Sequence, residues 1–183
     1  MSKTYTPKED SYLMSETLKQ KIPKFLKNNP DLKFLETGSG EGINLKVIFE
    51  SGVKRENIFS CDINKKAVKH CRKLGFSCVE SNLFNNIKGK YDIIIFNAPY
   101  LPLDKKEPKE SQIITTGGKK GNELSIRFLK QAKKYLNENG IIFLITSSLA
   151  ENVDFKKLGY KSKEIDKKNL FFEKLSLWEL RIY

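Results

Sequence analysis

The sequence has few residues that could bind a metal ion or form a disulfide. It contains three cysteines and one histidine among 183 residues. Cys61, Cys71 and Cys78 form no C-x-x-C pair, and His70 is the single histidine, so the sequence predicts no zinc site. An odd number of cysteines without a pairing pattern predicts reduced, mostly buried thiols, as in cytoplasmic proteins.

Long apolar runs are also missing. No stretch of 18 or more apolar residues occurs, so no transmembrane helix is predicted. The first residues are polar and lack the apolar core of a signal peptide. We therefore expect a cytoplasmic protein that does not associate with membranes, and a chain of this length fits a single domain.

Charge of one sign is in excess, but it is not concentrated. Thirty-four basic and 22 acidic residues give a net charge of +12, which is compatible with nucleic-acid binding as a secondary property. The lysines are spread along the whole chain, and the densest groups are 105–109 and 119–120. Such charge can steer an acidic protein or RNA, but it does not identify a substrate.

Apolar runs alternate with amphipathic segments, which predicts an α/β domain with a mainly parallel sheet. The predicted strands are 33–37, 57–61, 76–79, 91–96, 141–145, 160–165 and 175–183. Helices are predicted from Ile43, from Asn64, at 12–26 with a kink or break at Pro23, and at 122–136, and a short helix is predicted at 155–158.

Two further features of the second half carry expectations. The last two strands should form a hairpin-like pair, with a bulge or a two-sided strand around Trp178–Glu179. The segment Pro102 to Lys120 is the longest predicted loop. Loops of that length in compact domains often act as lids, and we expect this one to become ordered over a substrate.

A glycine-rich turn follows the first predicted strand. Gly38, Gly40 and Gly42 stand where glycine lets the backbone approach a ligand closely. The spacing G-x-G-x-G is not the G-x-G-x-x-G of dinucleotide-binding folds, so the turn alone does not define the ligand. Glu36 places an acid at the strand tip. Asp62 ends the next strand about 20 residues on, where ribose hydroxyls are held, although it could instead cap the following helix.

The most informative residues are Asn97, Ala98, Pro99 and Tyr100, which follow the buried strand 91–96. Ligands of open α/β sheets bind outside the carboxyl ends of the strands. The Asn97 side-chain oxygen and the Ala98 carbonyl can accept both hydrogens of an NH2 group. Pro99 stiffens the turn, and Tyr100 offers a ring for stacking. We predict a site that holds a planar nitrogen nucleophile and acts mainly by positioning it.

These motifs resemble those of class I S-adenosylmethionine-dependent methyltransferases that act on amide or exocyclic nitrogens. The matching segments are 36–40 (E-T-G-S-G), 61–64 (C-D-I-N) and 97–100 (N-A-P-Y). Two more segments, 5–11 (Y-T-P-K-E-D-S) and 116–121 (T-G-G-K-K-G), resemble the archaeal and eukaryotic HemK-type family. Ala98 departs from the pattern, since the family usually has proline there. The backbone carbonyl is kept and some rigidity is lost.

The resemblance implies a fold and an activity. The fold would be Rossmann-like, with a mainly parallel seven-stranded sheet, an antiparallel last strand and helices on both faces. Residues 1–183 would form one domain, with 1–30 as an N-terminal helical cap segment and 101–120 as a substrate loop. The enzyme would transfer a methyl group from S-adenosylmethionine to N5 of the glutamine in the Gly-Gly-Gln motif of a class-I translation release factor.

The resemblance also implies roles for residues around the cofactor. Glu36, Gly38 and Gly40 would face its methionine and ribose parts, and Asp62 would bind the ribose hydroxyls. Asn82 stands where the family usually has an aspartate that binds the adenine amino group, and its amide oxygen can still accept that bond. Leu83 would give apolar cover for the adenine.

The remaining implied roles concern the substrate. Asn97, Pro99 and Tyr100 would be the catalytic residues, and with Ala98 they would bind the substrate amide. Asn97 would also contact the cofactor. The segment 5–11 would close over the cofactor, although its residues 9–11 are equally explained as the start of a helix.

A partner is implied as well. Short family members are similar to subunits that form a heterodimer with a small zinc-ribbon activator, which pairs with the edge strand of the sheet. Here that strand would be 76–79. An exposed apolar edge strand promotes aggregation unless it is covered, so the isolated chain is expected to be poorly soluble or weakly active.

Two other functions fit the same motifs. An N6-adenine methyltransferase acting on DNA or RNA would use the same chemistry, although 183 residues leave little room for a target-recognition domain. The third interpretation is a cofactor-binding subunit or another methyltransferase, such as a protein lysine methyltransferase. The substitution at Asn82 keeps that interpretation open.

Overall fold

The computed structural model describes residues 9–183 of the chain. The helices are α1 (Glu9–Asn28), α2 (Ile43–Glu50), α3 (Lys65–Lys73), α4 (Lys109–Thr115) and α5 (Glu123–Ala132). The strands are β1 (Phe34–Thr37), β2 (Ile58–Asp62), β3 (Ser77–Glu80), β4 (Tyr91–Phe96), β5 (Leu101–Pro102), β6 (Thr116–Gly118), β7 (Leu136–Ser147), β8 (Tyr160–Asn169) and β9 (Lys174–Ile182).

Seven strands form one sheet in the order β3-β2-β1-β4-β7-β9-β8. Strands β1 to β4 and β7 pair in parallel, whereas β9 is antiparallel to both of its neighbours. This confirms the expected mainly parallel sheet with an antiparallel last strand. The chain order reverses between β1 and β4, which makes their carboxyl ends the topological switch point where ligands of such sheets bind.

Successive side chains of the central strands pack into two separate hydrophobic cores, one on each face of the sheet. Ile93 and Ile95 of β4 pack with apolar residues of α1, α2 and α3. Ile94 and Phe96 point the other way and pack with Phe128 of α5. Helices therefore cover both faces, and burial on both sides explains why β4 and β7 are continuous apolar runs.

The N-terminal helix is longer than predicted. The prediction was 12–26, and α1 runs from Glu9 to Asn28. Pro23 lies inside it, on the exposed side, and the helix does not break there. Phe25 and Leu26 beyond the proline still pack against the core, which stabilises the last turn. Residues 1–8 of the predicted cap segment lie outside the described part of the chain.

The predicted helix 122–136 was too long at its carboxyl end. Helix α5 stops at Ala132, and Leu136 already belongs to β7, where it pairs with Tyr91 before a register shift. Asn139 has a φ of 63°, a left-handed conformation that asparagine tolerates. The apolar spacing of 124–136 suggested one helix because Leu136 packs in the same core as Phe128.

Two further local predictions were wrong. Residues 155–158 form a turn that ends at Gly159, not a helix. The irregularity expected at Trp178–Glu179 lies on the opposite strand, where the register shifts between Glu164 and Asp166. Strand β9 itself is buried on both faces between its neighbours, as the alternative of a two-sided strand predicted.

The segment 102–120 is not a structureless loop. It contains α4 and β6, and β6 returns to pair with β5. The Glu107 carboxylate organises it, accepting hydrogen bonds from the hydroxyls of Ser111 at 2.6 Å and Thr115 at 2.8 Å. The polar sequence of this segment has no apolar periodicity, and hydrogen bonds between polar side chains cannot be predicted from residue type alone. The sequence therefore gave no sign of α4 or β6.

Strand β3 is at the edge of the sheet, as predicted, but the prediction that its apolar side chains are exposed was wrong. Strand β3 is the outer strand of the sheet. The apolar side chains expected to be exposed there, Phe76 and Cys78, are buried against α2 and α3. The uncovered feature is therefore the free backbone edge and not an apolar surface.

The three cysteines are buried thiols, as predicted. Cys61, Cys71 and Cys78 are buried and free of disulfides. Within residues 9–183, no helix has the length and apolar character needed to cross a bilayer, and no cluster of side chains suited to a metal ion occurs.

The hydroxyl of Tyr160 gives a test of how the second core is held. It is buried and donates a 2.7 Å hydrogen bond to the Leu129 carbonyl, in the last turn of α5, where carbonyls lack helical partners. Replacing Tyr160 by Phe should lower the free energy of unfolding by about 1–3 kcal/mol, because a buried acceptor loses its donor. Urea unfolding of Y160F measures this.

The matched control is Tyr183→Phe, at an exposed tyrosine beyond β9. That change should leave the free energy of unfolding within experimental error. Equal effects of the two substitutions would show that the Leu129 bond does not stabilise the fold.

Candidate active site

A cavity of about 430 Å³ opens at the carboxyl edge of the sheet. Its size is within the range of small-molecule sites. The glycine turn after β1, the end of β2, the segment after β3 and the residues after β4 surround it. All sequence-predicted site residues line this one cavity: Glu36, Gly38, Gly40, Asp62, Asn82, Leu83, Asn97, Ala98, Pro99 and Tyr100.

The glycine turn is held against the end of β2. Gly38 and Gly40 have φ values of 71° and 49°, a region that favours glycine. The Gly38 and Ser39 amides donate to the Cys61 carbonyl, and the Gly40 amide donates to Asp62 Oδ2 at 2.9 Å. A side chain on Gly40 would point into open space, so the missing Cβ leaves room for a ligand.

Asp62 has two roles at the end of β2. Its Oδ1 accepts a 2.8 Å bond from the Asn64 amide, and its Oδ2 holds Gly40. The helix cap that was the alternative role is supplied by Asn64, whose side chain accepts from the Lys66 amide. Burial raises the pKa of Asp62, although the backbone amides oppose that shift.

Glu36 is a buried carboxyl at the floor of the cavity. Its Oε1 accepts a 2.7 Å hydrogen bond from Asn44 Nδ2, while its Oε2 is buried with no hydrogen-bond partner. Burial raises the pKa of Glu36 to about 8, with the negative charge of Asp62 adding to the shift and Asn44 opposing it. The floor is therefore rich in acceptors that burial leaves unsatisfied.

Asn97 stands at the carboxyl end of β4, next to the floor. Its Oδ1 is buried and has no hydrogen-bond partner. An unsatisfied buried acceptor costs about 1–3 kcal/mol, so this oxygen is a binding position for a ligand that brings an N–H donor. Ala98 is buried beside it, and Pro99 is partly buried.

Tyr100 is fixed by a residue at the start of α1. Its hydroxyl donates to Asp10 Oδ2 at 3.3 Å, and Asp10 is itself buried. Burial raises the pKa of Tyr100, and the nearby charges of Asp10 and Glu173 act in the same direction. The phenol is therefore neutral at physiological pH, and its ring lines the cavity.

Residues 9–11 line the cavity as well as starting the helix. The helix start expected at residues 9–11 is therefore confirmed, and closure of the segment over the cofactor stays a prediction. Residues 5–8 of the segment expected to close over the cofactor lie outside the described residues.

Asn82 and Leu83 form the side of the cavity that follows β3. Asn82 is exposed, and its Oδ1 accepts a 3.2 Å hydrogen bond from Arg127. Leu83 is buried with a φ of 52°, which is strained for a leucine and directs its side chain into the apolar wall. The acceptor oxygen expected to serve adenine is thus already bonded to a neighbouring arginine.

Three further residues contribute to the site and were not predicted. Arg127 on α5 and Glu173 after β8 line the cavity from distant parts of the chain, and neither carries a local signal. Asn44 was detectable in principle, because it is a polar residue on the buried face of α2.

The residues fit S-adenosylmethionine. The unpaired buried acceptors Glu36 Oε2, Asn44 Oδ1 and Asn97 Oδ1 all belong to residues that line the cavity. Acceptors without donors suit a cationic ligand, and this cofactor carries an ammonium and a sulfonium. Asp62 is placed where a ribose would meet a carboxylate.

Comparisons with known proteins agree with this chemistry. Residues 75–170 match the family model of the Eco57I restriction-modification methylases. The chain is 34% identical to a protein from Methanocaldococcus jannaschii that is provisionally named a protein N5-glutamine methyltransferase. The match covers 96% of this chain and 92% of that protein. The chain belongs to the HemK-type family of class I S-adenosylmethionine-dependent methyltransferases. The cofactor of this methyltransferase is S-adenosylmethionine.

Two more distant relatives match this chain over nearly its whole length. The catalytic subunit mtq2 of the eRF1 methyltransferase of Schizosaccharomyces pombe is 27% identical over 98% of this chain and 88% of its own. A chain of the E. cuniculi Mtq2–Trm112 complex, responsible for methylation of the eRF1 termination factor, superposes with a TM-score of 0.69. That match covers 98% of this chain and 99% of the other at 22% identity, and it supports the fold.

The buried carboxyl of the methyltransferase makes its stability depend on pH in a defined direction. A raised pKa means that the folded state favours protonated Glu36. The contribution of protonated Glu36 to stability is therefore complete below its ordinary pKa of 4.5 and is lost as pH rises to about 8. The loss is about 1.4 kcal/mol per pH unit within that window.

Glu36→Gln should thus gain stability relative to wild type as the pH rises from 5 to 8, because glutamine keeps the acceptor for Asn44 and cannot ionise. Urea unfolding of both proteins at several pH values measures the difference. Glu50→Gln, at an exposed glutamate on α2, is the control. A stability difference for E36Q that stays constant with pH would contradict the assignment.

Proposed function

We propose that this methyltransferase transfers a methyl group from S-adenosylmethionine to N5 of the glutamine in the Gly-Gly-Gln motif of a class-I translation release factor. Support comes from the site and from the names of the relatives. These include the eRF1 methyltransferase subunit of Schizosaccharomyces pombe and a release factor glutamine methyltransferase of Borreliella burgdorferi, 34% identical over 65% of this chain and 46% of its own length. Such a substrate places the enzyme in the cytoplasm.

The observation that carries the proposal is the unpaired oxygen of Asn97. It is a buried acceptor in a ligand cavity, at the carboxyl end of the strand beside the glycine turn. A primary amide brings two N–H donors, which match Asn97 Oδ1 and the Ala98 carbonyl. A lysine ammonium has three donors and is not planar, so it could not stack on the Tyr100 ring as a planar amide would.

The proposed mechanism rests on positioning. The bound cofactor supplies an electrophilic methyl group on a sulfonium, which is already a strong leaving group. Asn97 and Ala98 hold the two hydrogens of the amide, and Tyr100 stacks on its plane while Asp10 fixes the phenol. Methyl transfer would form an N–C bond as the S–C bond of the cofactor breaks, leaving a neutral thioether, and the methylated nitrogen would release one proton to solvent. Orientation of this kind is worth about 7–11 kcal/mol in favourable cases.

The segment 101–120 is proposed to be the substrate loop within the single domain. Ile114 and Thr115 of α4 line the cavity, which puts this segment beside the residues proposed to hold the amide. Its exposed lysines 105, 106 and 109 would face an approaching partner.

We also propose that a small zinc-ribbon activator pairs with β3 to form a heterodimer. The supporting feature is the free edge of β3 at one side of the sheet. A strand added there would satisfy backbone groups that otherwise face solvent. Because the apolar side chains of β3 point inward, backbone pairing would supply most of this contact.

The first test is methyl transfer from labelled S-adenosylmethionine to the release factor. Label should appear on the wild-type release factor and be absent when its Gly-Gly-Gln glutamine is replaced. Asn97→Ala should reduce kcat by about 10²–10³, because one of the groups that hold the amide is lost.

Asn85→Ala, at an exposed asparagine after β3, is the matched control and should keep full activity. Thermal unfolding of each variant, measured by calorimetry, checks that the fold is intact. Undiminished kcat in N97A would refute the proposed role of Asn97.

N6-adenine methylation is the second candidate, favoured by the match of residues 75–170 to a restriction-modification methylase model. Duplex DNA and RNA should therefore be included as parallel substrates. Label on nucleic acid with none on the release factor would replace the first proposal by this one.

The activator proposal predicts a change in behaviour on co-expression. The isolated chain should be poorly soluble or weakly active, and co-expression with the zinc-ribbon protein should raise the soluble yield and the rate of release-factor methylation. Gel filtration and the transfer assay measure both. A monodisperse, fully active isolated chain would count against the heterodimer.

A further inference from the structure

The turn between β8 and β9 places two phenylalanines in solvent. Phe171 is 92% exposed and Phe172 is 83% exposed, and their rings meet edge to face with centroids 4.5 Å apart. Large apolar side chains in such positions are unfavourable for an isolated soluble protein, and exposed clusters of them mark interaction sites. The pair needs an explanation beyond folding, since neither ring contributes to either core.

We propose that this tip, Leu170–Glu173, is the docking element for the protein substrate, and that its two rings insert into an apolar cleft beside the loop that carries the target glutamine. The inference rests on the proposed function and extends it to the way in which a whole protein is recognised.

Strand direction places the tip beside the catalytic pocket. Strand β8 is antiparallel to β9, which is antiparallel to β7, so β8 runs the same way as β7 and β4. The turn after β8 therefore lies at the carboxyl edge of the sheet, where Asn97 stands. Leu170 and Glu173, the residues on either side of the rings, line the same cavity as Asn97 and Tyr100.

The tip is held firmly. The Leu170 amide donates to the Glu173 carbonyl at 2.7 Å, closing the turn. Glu173 Oε1 accepts a 2.5 Å bond from the Ser147 hydroxyl, and backbone and hydroxyl bonds join Ser148 to Lys174. Because this base is fixed, little conformational entropy is lost at the tip when a partner binds.

Two lysines that flank the tip are paired with carboxylates, which favours a protein cleft over a membrane surface. Lys168 lies 3.8 Å from Glu9, and Lys174 lies 2.9 Å from Glu164. These lysines already have carboxylate partners, whereas binding to anionic lipid relies on uncompensated basic charge. Aromatic side chains are the residues that most often act as hot spots in protein interfaces.

The activator does not explain the tip, because its proposed site is elsewhere. Strand β3 is at one side of the seven-stranded sheet, and β8 is at the other. The two surfaces can therefore be occupied at the same time. One would complete the enzyme, and the other would hold the substrate.

The test compares Phe171→Ser/Phe172→Ser with Phe171→Leu/Phe172→Leu in the activator-bound enzyme, using the full-length release factor. Loss of two hot-spot rings should raise KM about 30-fold or more for the serine pair, with kcat unchanged within about twofold. The leucine pair should recover part of the affinity, because it keeps apolar area at the tip. Tyr183→Ser, at an exposed aromatic at the opposite edge of the sheet, should behave as wild type.

The outcomes separate this proposal from the proposed function. Wild-type transfer to the glutamine with an unchanged KM in the serine pair would overturn the docking role alone. Failure of the wild-type enzyme to methylate the release factor would overturn the proposed function and this inference with it. Loss of activator co-purification, or of sedimentation with anionic vesicles, without a change in KM would assign the tip to another partner and also reject the proposal. Cofactor binding to each variant monitors folding.

Discussion

The burial of acceptor oxygens at the carboxyl edge of the sheet is the constraint on which the rest of the structure depends. Glu36 lies one residue before the end of β1, and Asp62 ends the neighbouring strand β2. The two carboxyls cannot move apart, because β1 and β2 are paired in fixed register. In the glycine turn, the Gly40 amide donates a hydrogen bond to Asp62. The Asn44 side chain donates a hydrogen bond to Glu36. What remains unsatisfied is the set of oxygens that face the cavity.

The same constraint separates the two kinds of work in the site. Residues on β1, β2 and α2 make an environment suited to a cation, whereas the residues after β4 provide acceptors suited to an amide. Parallel pairing of β1 with β4 puts these two groups side by side, and the Thr37 hydroxyl, which donates to the Ile95 carbonyl at 3.2 Å, ties the two strand ends together. A cofactor and a nucleophile can then share one cavity without sharing residues, except at Asn97.

The sequence carried much of the fold and of the site, because both depend on local patterns. Continuous apolar runs mark strands that are buried on two faces, and the glycine turn, Asp62 and Asn97 follow directly from strand ends. Features set by tertiary contacts were not predictable. Leu136 was assigned to the helix because its spacing from Phe128 and Leu129 fits a helix. It packs in the same core as these residues although it belongs to a strand. Segment 102–120 was predicted to be a loop because amino-acid composition does not reveal the hydrogen bonds of Glu107 that hold α4. Arg127 and Glu173 reach the cavity only through the topology of the sheet.

The protonation of Glu36 has a consequence for how the enzyme loads its cofactor. With a pKa near 8, most of this carboxyl is protonated at neutral pH in the free protein. A positively charged ligand at the floor would favour the ionised form, so its binding would release a proton to solvent. The affinity for such a ligand would then increase with pH up to about 8, and the heat of binding would include the ionisation heat of the buffer that takes up the proton.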